Sequence, residues 1–548
     1  MTQTTRRDLL RKLVSSGYQV SPDALDYITS LDAPEDIVQI IESSSADVPP
    51  VISRDFLKSI LEKSSEDIVT EIDLSELESP EPVVELEVER VQPDMEIEPE
   101  PEERIRVLKN PEFDKVGSAG TVEDFLALFN DRFDRIKRIY MSRIDTQVAL
   151  SPGVAKLQRY DARRTRLISQ EGGKAQKRVS QTVLGIVSSK SVARSRNIII
   201  ELEDAEDSII CIIPAGREGL QGVQLFEKGN SILLDETLCI SGYVDQDGRM
   251  IANDVIFPDI PTARPIGRAK REVYAAFISD IHAGSEEFLE DEFDTFVDWL
   301  NGKDVDGADK DLVKRIEYLF IAGDLVDGIG VYPNQEKNLK IPDIIGQYDL
   351  IAKKLKRINK NVTIISIPGN HDASRQALPK PPIPEQFAEP LYKLGDRMML
   401  MGDPAQIQIE GVDILLTHGD SMDDLVVNTP GASYVAPATG MVELLKKRHL
   451  APVYGGKTEL APLHRDWLVI DTPPDIVHFG HAHHNAVDNY RGVQIINSGT
   501  FQDQTDFMRK QGIVPTPGIV TLVNLKTGQP DVRFFFDMSK LNGANSSM

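Results

Sequence analysis

Five short segments of the 548-residue chain concentrate side chains able to hold a metal and move a proton: Asp280-Ile281-His282, Gly323-Asp324, Gly369-Asn370-His371-Asp372, Thr417-His418-Gly419 and Gly480-His481-Ala482-His483. The chain has nine histidines, none before position 282, and five of the nine fall in these segments. Each segment follows an apolar run with β character: VYAAFISD, IEYLFIAGD, VTIISIPGN, VDILLTHGD and DIVHFGHAH. Side chains alternate faces along a strand, so an Asp-x-His or His-x-His pair at a strand end is expected to point two ligands the same way. Imidazole nitrogens, carboxylate oxygens and an amide oxygen suit manganese, iron or zinc, and the absence of thiolates argues against a structural zinc site. Asp324, in a strand-to-glycine turn, has two oxygens with which to bridge two ions. Two metals about 3.5–4 Å apart form a device for phosphoester hydrolysis, and a histidine not used as a ligand could protonate the leaving group. His449, His464, His478 and His484 lack the pattern and read as structural.

The elements that must position these groups follow from periodicity. From about residue 270 apolar β runs alternate with helical stretches near Phe293–Leu300 and Ile345–Ile358, the α/β pattern, with site residues collecting at the carboxyl ends of strands. Residues 179–262 read as five or six short strands, including VSQTVLGIVSS, NIIIELED, SIICIIP, SILLD and ETLCISGYV, which suits a small barrel of the OB-fold kind. Cys211 and Cys239 lie inside these runs as buried structural thiols. Residues 105–178 read as a helical and basic connecting segment, with an amphipathic helix over Phe125–Ile144. The stretch that follows it, Arg159, Arg163, Arg164, Arg166, Lys174, Lys177 and Arg178, is either a solvated face or a contact for phosphates. Residues 1–65 carry prolines at helix starts (Ser21-Pro22-Asp23, Ala33-Pro34-Glu35) and read as a small helical docking module.

The formal charge of −26 argues against a freestanding nucleic-acid binder until its distribution is considered. Residues 66–104 hold sixteen acids against Arg90 and Arg104, with five interleaved prolines, and read as a disordered acidic linker. No run reaches the roughly 18 apolar residues of a membrane span, and the N-terminus lacks a secretory signal, so a cytoplasmic protein is expected.

The ordered series D-x-H, GD, GNHD, HG and GHAH resembles the calcineurin-like metallophosphoesterases over about Phe277–Thr500. The intervening text, FISDIHAGSEEF, AGDLVDGIGVYPNQE, IPGNHDASRQALPKPPIPEQFAEPLY and HGDSMDD, is similar to the small subunits of archaeal family D DNA polymerases. The resemblance implies an α/β metallophosphoesterase domain over 263–548, a layered β-sandwich flanked by helices, beside an OB-fold β-barrel and the N-terminal helical domain. It implies two divalent metal ions, Mn2+ foremost, with Mg2+, Fe2+ or Zn2+ as alternatives. Asp280, His282 and His483 would hold one ion, Asp324 would bridge, and Asn370, His418 and His481 would hold the other. His371 would protonate the leaving 3′ oxygen, oriented by Asp372. The implied activity is a 3′–5′ exonuclease that proofreads for a separate large catalytic subunit and acts on single-stranded or mismatched DNA 3′ ends. A scaffold for that subunit with marginal hydrolysis is the alternative. The Pro-rich insertion Leu378–Pro390 and the barrel speak against a stand-alone enzyme for small phosphoesters. Polymerase carboxylates of its own are not visible, so nucleotide addition must come from another chain. One departure is Asp420, where the family leads one to expect a basic residue; an acid beside a phosphate groove would weaken the grip on DNA or alter metal preference. His484-Asn485 is a second departure, and neither removes a ligand.

Overall fold

The computed structural model describes residues 104–157, 180–216, 219–303 and 305–537, together with positions 19, 20, 24, 27, 28, 51, 52 and 57. The acidic linker up to residue 103 and the basic stretch Arg159–Arg178 lie outside the described residues. The chain divides into two compact units, Met1–Glu96 and Ile97–Met548. In the first, the helical expectation needs an addition. Two short strands, β1 (Gln19–Val20) and β2 (Val51–Ile52), pair in parallel, while Ala24, Ile28 and Leu57 are helical and fully buried.

In the second unit two six-stranded mixed sheets face each other. One is built from β9 (Tyr274–Ile278), β10 (Ile316–Ala322), β11 (Thr363–Ile367), β12 (Met398–Leu400), β18 (Ile519–Asn524) and β19 (Gln529–Phe534), in the order β12-β11-β10-β9-β18-β19. The other is built from β3 (Ile105–Lys109), β13 (Ala405–Ile409), β14 (Val412–Leu416), β15 (Ile476–Phe479), β16 (Ala486–Tyr490) and β17 (Val493–Asn497), in the order β16-β17-β15-β14-β13-β3. Phe277, Phe320, Ile367, Ile407, Leu416 and Ile496 close the layer between the sheets. Helices α3 (Glu290–Leu300) and α4 (Ile344–Lys356) cover the outer face of the first sheet, and α5 (Met422–Asn428) and α6 (Pro437–Lys447) that of the second. Strands buried on both faces need apolar residues at consecutive positions, which is why these runs do not alternate.

The segment 105–178 is more than a connector. Its first residues form β3, an edge strand antiparallel to β13 with Ile105 opposite Ile409, so the sandwich begins before the barrel in sequence. Helix α1 (Val122–Met141) then starts at a capping box, in which Thr121 and Asp124 each accept the other's backbone N–H.

The barrel has five strands, β4 (Gln181–Val192), β5 (Ile198–Glu203), β6 (Ser208–Ile213), β7 (Thr237–Val244) and β8 (Met250–Ile256), and closes in the order β4-β5-β6-β8-β7. The run SILLD, expected as a strand, is instead a turn after helix α2 (Leu220–Asn230). Ile232 and Leu233 are buried there, and Asp235 takes a left-handed φ of 62°, so the apolar run reflects burial without strand geometry. Cys211 and Cys239 are free and buried.

Arg132 on α1 ties barrel to sandwich. Fully buried, it donates to Asp466 Oδ2 (2.7 Å), to the Pro452 carbonyl (2.7 Å) and to the Asp235 carbonyl of the barrel turn (3.0 Å). His449 completes the network. Its Nδ1 accepts from the Ala451 N–H (3.1 Å) and its Nε2–H donates to Asp466 Oδ2 (2.9 Å), so the imidazole is neutral. Burial, with the Arg132 guanidinium beside it, pushes its pKa down to about 4. An unfolded histidine takes its proton near pH 6.5, as a typical value. The stability carried by neutral His449 is therefore full above that pH and is lost as pH falls toward 4, at most about 3 kcal/mol. Thermal melts from pH 7 to 4 should show a steeper loss of Tm for the native chain than for His449→Gln; parallel curves would refute the assignment.

Candidate metal centre

Every site segment lies just beyond a strand, not on it. β9 ends at Ile278 and Asp280 and His282 follow, so pleat alternation is not what aims them. Both take φ of 52°, as does Asp324, while His481 and His483 take 64° and 53°. Five non-glycine residues in the left-handed region store strain of about 1–3 kcal/mol each. Crossed backbone bonds hold them: the Asp280 N–H donates to the Gly323 carbonyl (3.0 Å), and the N–H groups of Ile281 and His282 both donate to the Asp324 carbonyl (2.8 and 3.1 Å). Two glycines permit the close approach. A Cβ on Gly369 would lie 2.1 Å from Asp324 Oδ1, and one on Gly323 2.6 Å from His418 Nδ1.

The structure brings together all seven expected ligands, within two adjoining groups. In the first, His282 Nε2 and His483 Nε2 are 3.1 Å apart and His483 Nε2 lies 3.4 Å from Asp280 Oδ1. In the second, His418 Nε2 lies 2.9 Å from Asn370 Oδ1, which is 3.1 Å from His481 Nδ1. Asp324 Oδ2 sits between the groups, 3.3 Å from His418 Nε2 and 3.7 Å from His282 Nε2. Asp280, Asp324, His282 and His418 are all essentially inaccessible to water.

The donor chemistry fits a divalent cation. His418 Nδ1 faces the Ala322 carbonyl at 2.7 Å and must donate to it, which leaves Nε2 as a lone pair in the neutral ring. That lone pair meets two further acceptors, Asp324 Oδ2 and Asn370 Oδ1, and three acceptors satisfy one another only around a cation. Without one the ring must carry a second proton. Burial opposes this, but Asp324 and Asp280 drive the His418 pKa up to about 10. A metal would displace that proton. Against burial, the neighbouring imidazoles hold the Asp324 carboxyl well below the usual carboxylate range. The buried Nδ1 of His483 has no hydrogen-bond partner among the described residues.

His371 lies beside the first group, its ring centroid 4.6 Å from that of His282. Its Nδ1 donates to the Asp327 carbonyl (2.7 Å), leaving Nε2 for proton transfer, and burial lowers its pKa. The expected orienting role of Asp372 is not what the geometry provides. The Asp372 carboxylate accepts from the N–H groups of Gly369 (2.9 Å) and Leu325 (3.3 Å) and from the Tyr348 hydroxyl (3.0 Å), and none of its hydrogen bonds goes to His371. It fastens the loop that carries the histidine, and burial pushes its pKa up to about 6. Asp327, which sequence reasoning missed, does the orienting. Its carbonyl holds His371 and its Oδ1 lies 3.2 Å from His282 Nδ1. Its one signal was a second carboxylate three residues after Asp324. Asp423 was missed as well; its Oδ1 lies 3.1 Å from His481 Nε2, and against burial, His481 and Tyr434 hold its pKa down to about 2. His481 and Asp423 line a cavity of about 330 Å3 with Asn370, Lys457 and Thr458.

Asp420, the departure from the family pattern, is not a free acid. Its carboxylate pairs with Lys380 Nζ at 2.7 Å, and Lys380 is fully buried. Lys380 belongs to the Pro-rich insertion, so a cation from another segment faces the acid that stands where a basic residue was expected. His484 is buried, and the Asn485 side chain donates to the Asn497 carbonyl (3.3 Å) and to Thr521 Oγ1 (3.1 Å).

Comparison with known proteins adds the following. The family model for the B subunit of DNA polymerase alpha/epsilon matches residues 275–487. The chain is 42% identical over 413 residues to the DNA polymerase II small subunit of Methanocaldococcus jannaschii, covering 75% of this chain and 65% of the relative. It is 40% identical to that of Archaeoglobus fulgidus (74% of this chain, 76% of the relative) and 38% identical to that of Methanothermobacter thermautotrophicus (74% and 78%). The chain spans 62–65% of the length of the M. jannaschii and Pyrococcus relatives. Among solved structures, an archaeal phosphodiesterase (14% identity, TM-score 0.25, 48% of this chain and 99% of that one) and an E. coli phosphoesterase (15%, 0.24, 48% and 100%) are similar at a level that carries no functional argument.

Replacing Lys380 by Met strands the Asp420 carboxylate beside buried Asp403 and should cost about 3–5 kcal/mol in urea unfolding. Adding Asp420→Asn to that variant should restore most of the loss. An unfolding midpoint unmoved by the single change would show that the pair does not compensate charge.

Proposed function

The chain belongs to the family of DNA polymerase II small subunits, and on that premise we propose that it is the proofreading 3′–5′ exonuclease and accessory subunit of a heteromeric replicative DNA polymerase. The observation that carries the reading is the meeting of His418 Nε2, Asp324 Oδ2 and Asn370 Oδ1, three acceptors that call for a cation where family ligands are expected. Asp280, His282 and His483 would hold one divalent ion and Asn370, His418 and His481 a second, with Asp324 between them; the mixed nitrogen and oxygen donors suit manganese, iron or zinc, and the family resemblance puts Mn2+ foremost. Two such ions, when bound, supply a clamp for a phosphodiester and a lowered pKa for the attacking water.

The protein's own groups do the rest. The Asp327 carbonyl accepts from Nδ1–H of His371 and so leaves Nε2 as the exchanging nitrogen; the imidazolium form would give its Nε2 proton to the leaving 3′ oxygen as the P–O bond breaks, returning to the neutral Nδ1–H ring. Asp372 keeps the loop backbone in register for that transfer through Gly369 and Leu325. The partners in this reading are the large catalytic subunit, which adds nucleotides, and single-stranded or mismatched DNA 3′ ends. The five-stranded barrel, with a helix between its third and fourth strands, is read as an OB-type fold. A cytoplasmic location goes with the assignment; no helix among the described residues is long and apolar enough to cross a membrane.

A scaffold role has its own support in the Arg132 network, which makes barrel and sandwich a single platform. Polymerase activity of the large subunit with and without this chain tests it, an unaltered polymerase counting against it. For the nuclease, the purified chain in Mn2+ should shorten a 5′-labelled primer with a 3′ mismatch stepwise, and His371→Ala should slow this about 10²–10⁴-fold. Equal rates in the variant would remove His371 from the mechanism, and no shortening even with the large subunit added would leave the scaffold alone.

A further inference from the structure

The two halves of the ligand cluster are backed differently. On one side His282 Nδ1 faces Asp327 Oδ1, and both side chains are 1% exposed. Asp327 is itself held by Gln335 Nε2 (2.9 Å) and Gln502 Nε2 (3.0 Å). On the other side His481 Nε2 faces Asp423 Oδ1, but His481 is 17% and Asp423 36% exposed, on the wall of the open cavity. Tyr434 steadies that carboxylate, its hydroxyl donating to the same oxygen at 2.7 Å.

A carboxylate bonded to the far nitrogen of a ligating histidine sets the tautomer, orients the ring and raises its basicity, and losing it typically costs 10–100-fold in metal affinity. Sealed from water such a pair is rigid and unscreened; open to water it is neither. The ligand charges point the same way. The sealed half offers the Asp280 carboxylate with two imidazoles, whereas the open half offers the neutral Asn370 amide with two imidazoles, the nearby Asp420 carboxylate being paired with buried Lys380, and Asp324 lies between the halves.

We propose that the ion held by Asn370, His418 and His481 is the weaker and exchangeable one of the two, and that Asp423 is the positioning residue that sets its affinity through His481. The inference rests on the two-ion reading above. With Nε2–H donating to Asp423, the His481 Nδ1 lone pair is turned toward Asn370 Oδ1 and the ligand cluster. The open half also adjoins the cavity by which a phosphodiester would enter, so the exchangeable ion and the substrate share one approach.

The test is a Mn2+ titration of the chelator-stripped full chain without substrate, followed by the electron paramagnetic resonance signal of free Mn2+. The native chain should show two classes of site differing at least tenfold in affinity. Asp423→Asn should weaken the weaker class about 10–100-fold and leave the tighter class in place. Tyr434→Phe, which touches no ligand, should weaken the same class by less, and keeps the test valid if Asp423→Asn folds poorly. Asp327→Asn should weaken the tighter class. Two ions bound natively with both classes unmoved by Asp423→Asn, or with the tighter class moved, would overturn the assignment. A native chain that binds one ion or none would overturn the two-ion reading and the assignment with it.

Discussion

Two carboxylates, Asp280 and Asp324, are buried side by side among imidazoles, and much else in the sandwich answers to that fact. Ionised acids out of water are costly unless paired. The available compensation is a ring of nitrogens that can accept either protons or metal ions, and the surrounding backbone is bent to bring them close. The left-handed residues, the glycines at 323 and 369 and the crossed bonds between the β9 and β10 loops all serve that convergence. The same logic extends outward to Lys380, which offsets Asp420, and to Asp327 and Asp423, which fix the far sides of two imidazoles.

The residues of the candidate site were legible in sequence because their chemistry is rare and their order is regular. Histidine is absent from the first half of the chain, and each site segment closes an apolar run whose strand character is plain. What could not be read was how the side chains reach the site. Asp280 and His282 are aimed by a backbone turn past the strand end, so side chains that do converge were picked out by an alternation argument that does not apply to them. Asp372 sits next to His371 in sequence yet bonds to backbone, while Asp327, forty-four positions away, supplies the orienting carbonyl. Orientation of this kind depends on loop geometry, which residue types do not encode singly.

The fold shows the same division. Strands of the sandwich and barrel announced themselves by continuous apolar runs, and the helices over the first sheet by their period. The SILLD run was ambiguous because four apolar or small residues in sequence are compatible with a strand or with a buried turn, and only the preceding helix decides between them. The pairing of β3 with β13 left no local trace, since an edge strand of five residues is defined by its partner. Buried charge again does connecting work here: Arg132 bonds at once to the barrel turn and to two loops of the sandwich.

That early edge strand has a bearing on how the chain acquires its shape during synthesis. Lys109 must find Gln406, roughly three hundred residues downstream. At the usual ribosomal pace of about 5–20 residues per second, β3 therefore waits about 15–60 s before its partner emerges. The barrel is complete in sequence by Ile256 and its strand pairs are all internal, so it can close within that interval. Closure of the barrel therefore does not depend on β3, whose pairing waits for β13, the next strand of its sheet in sequence.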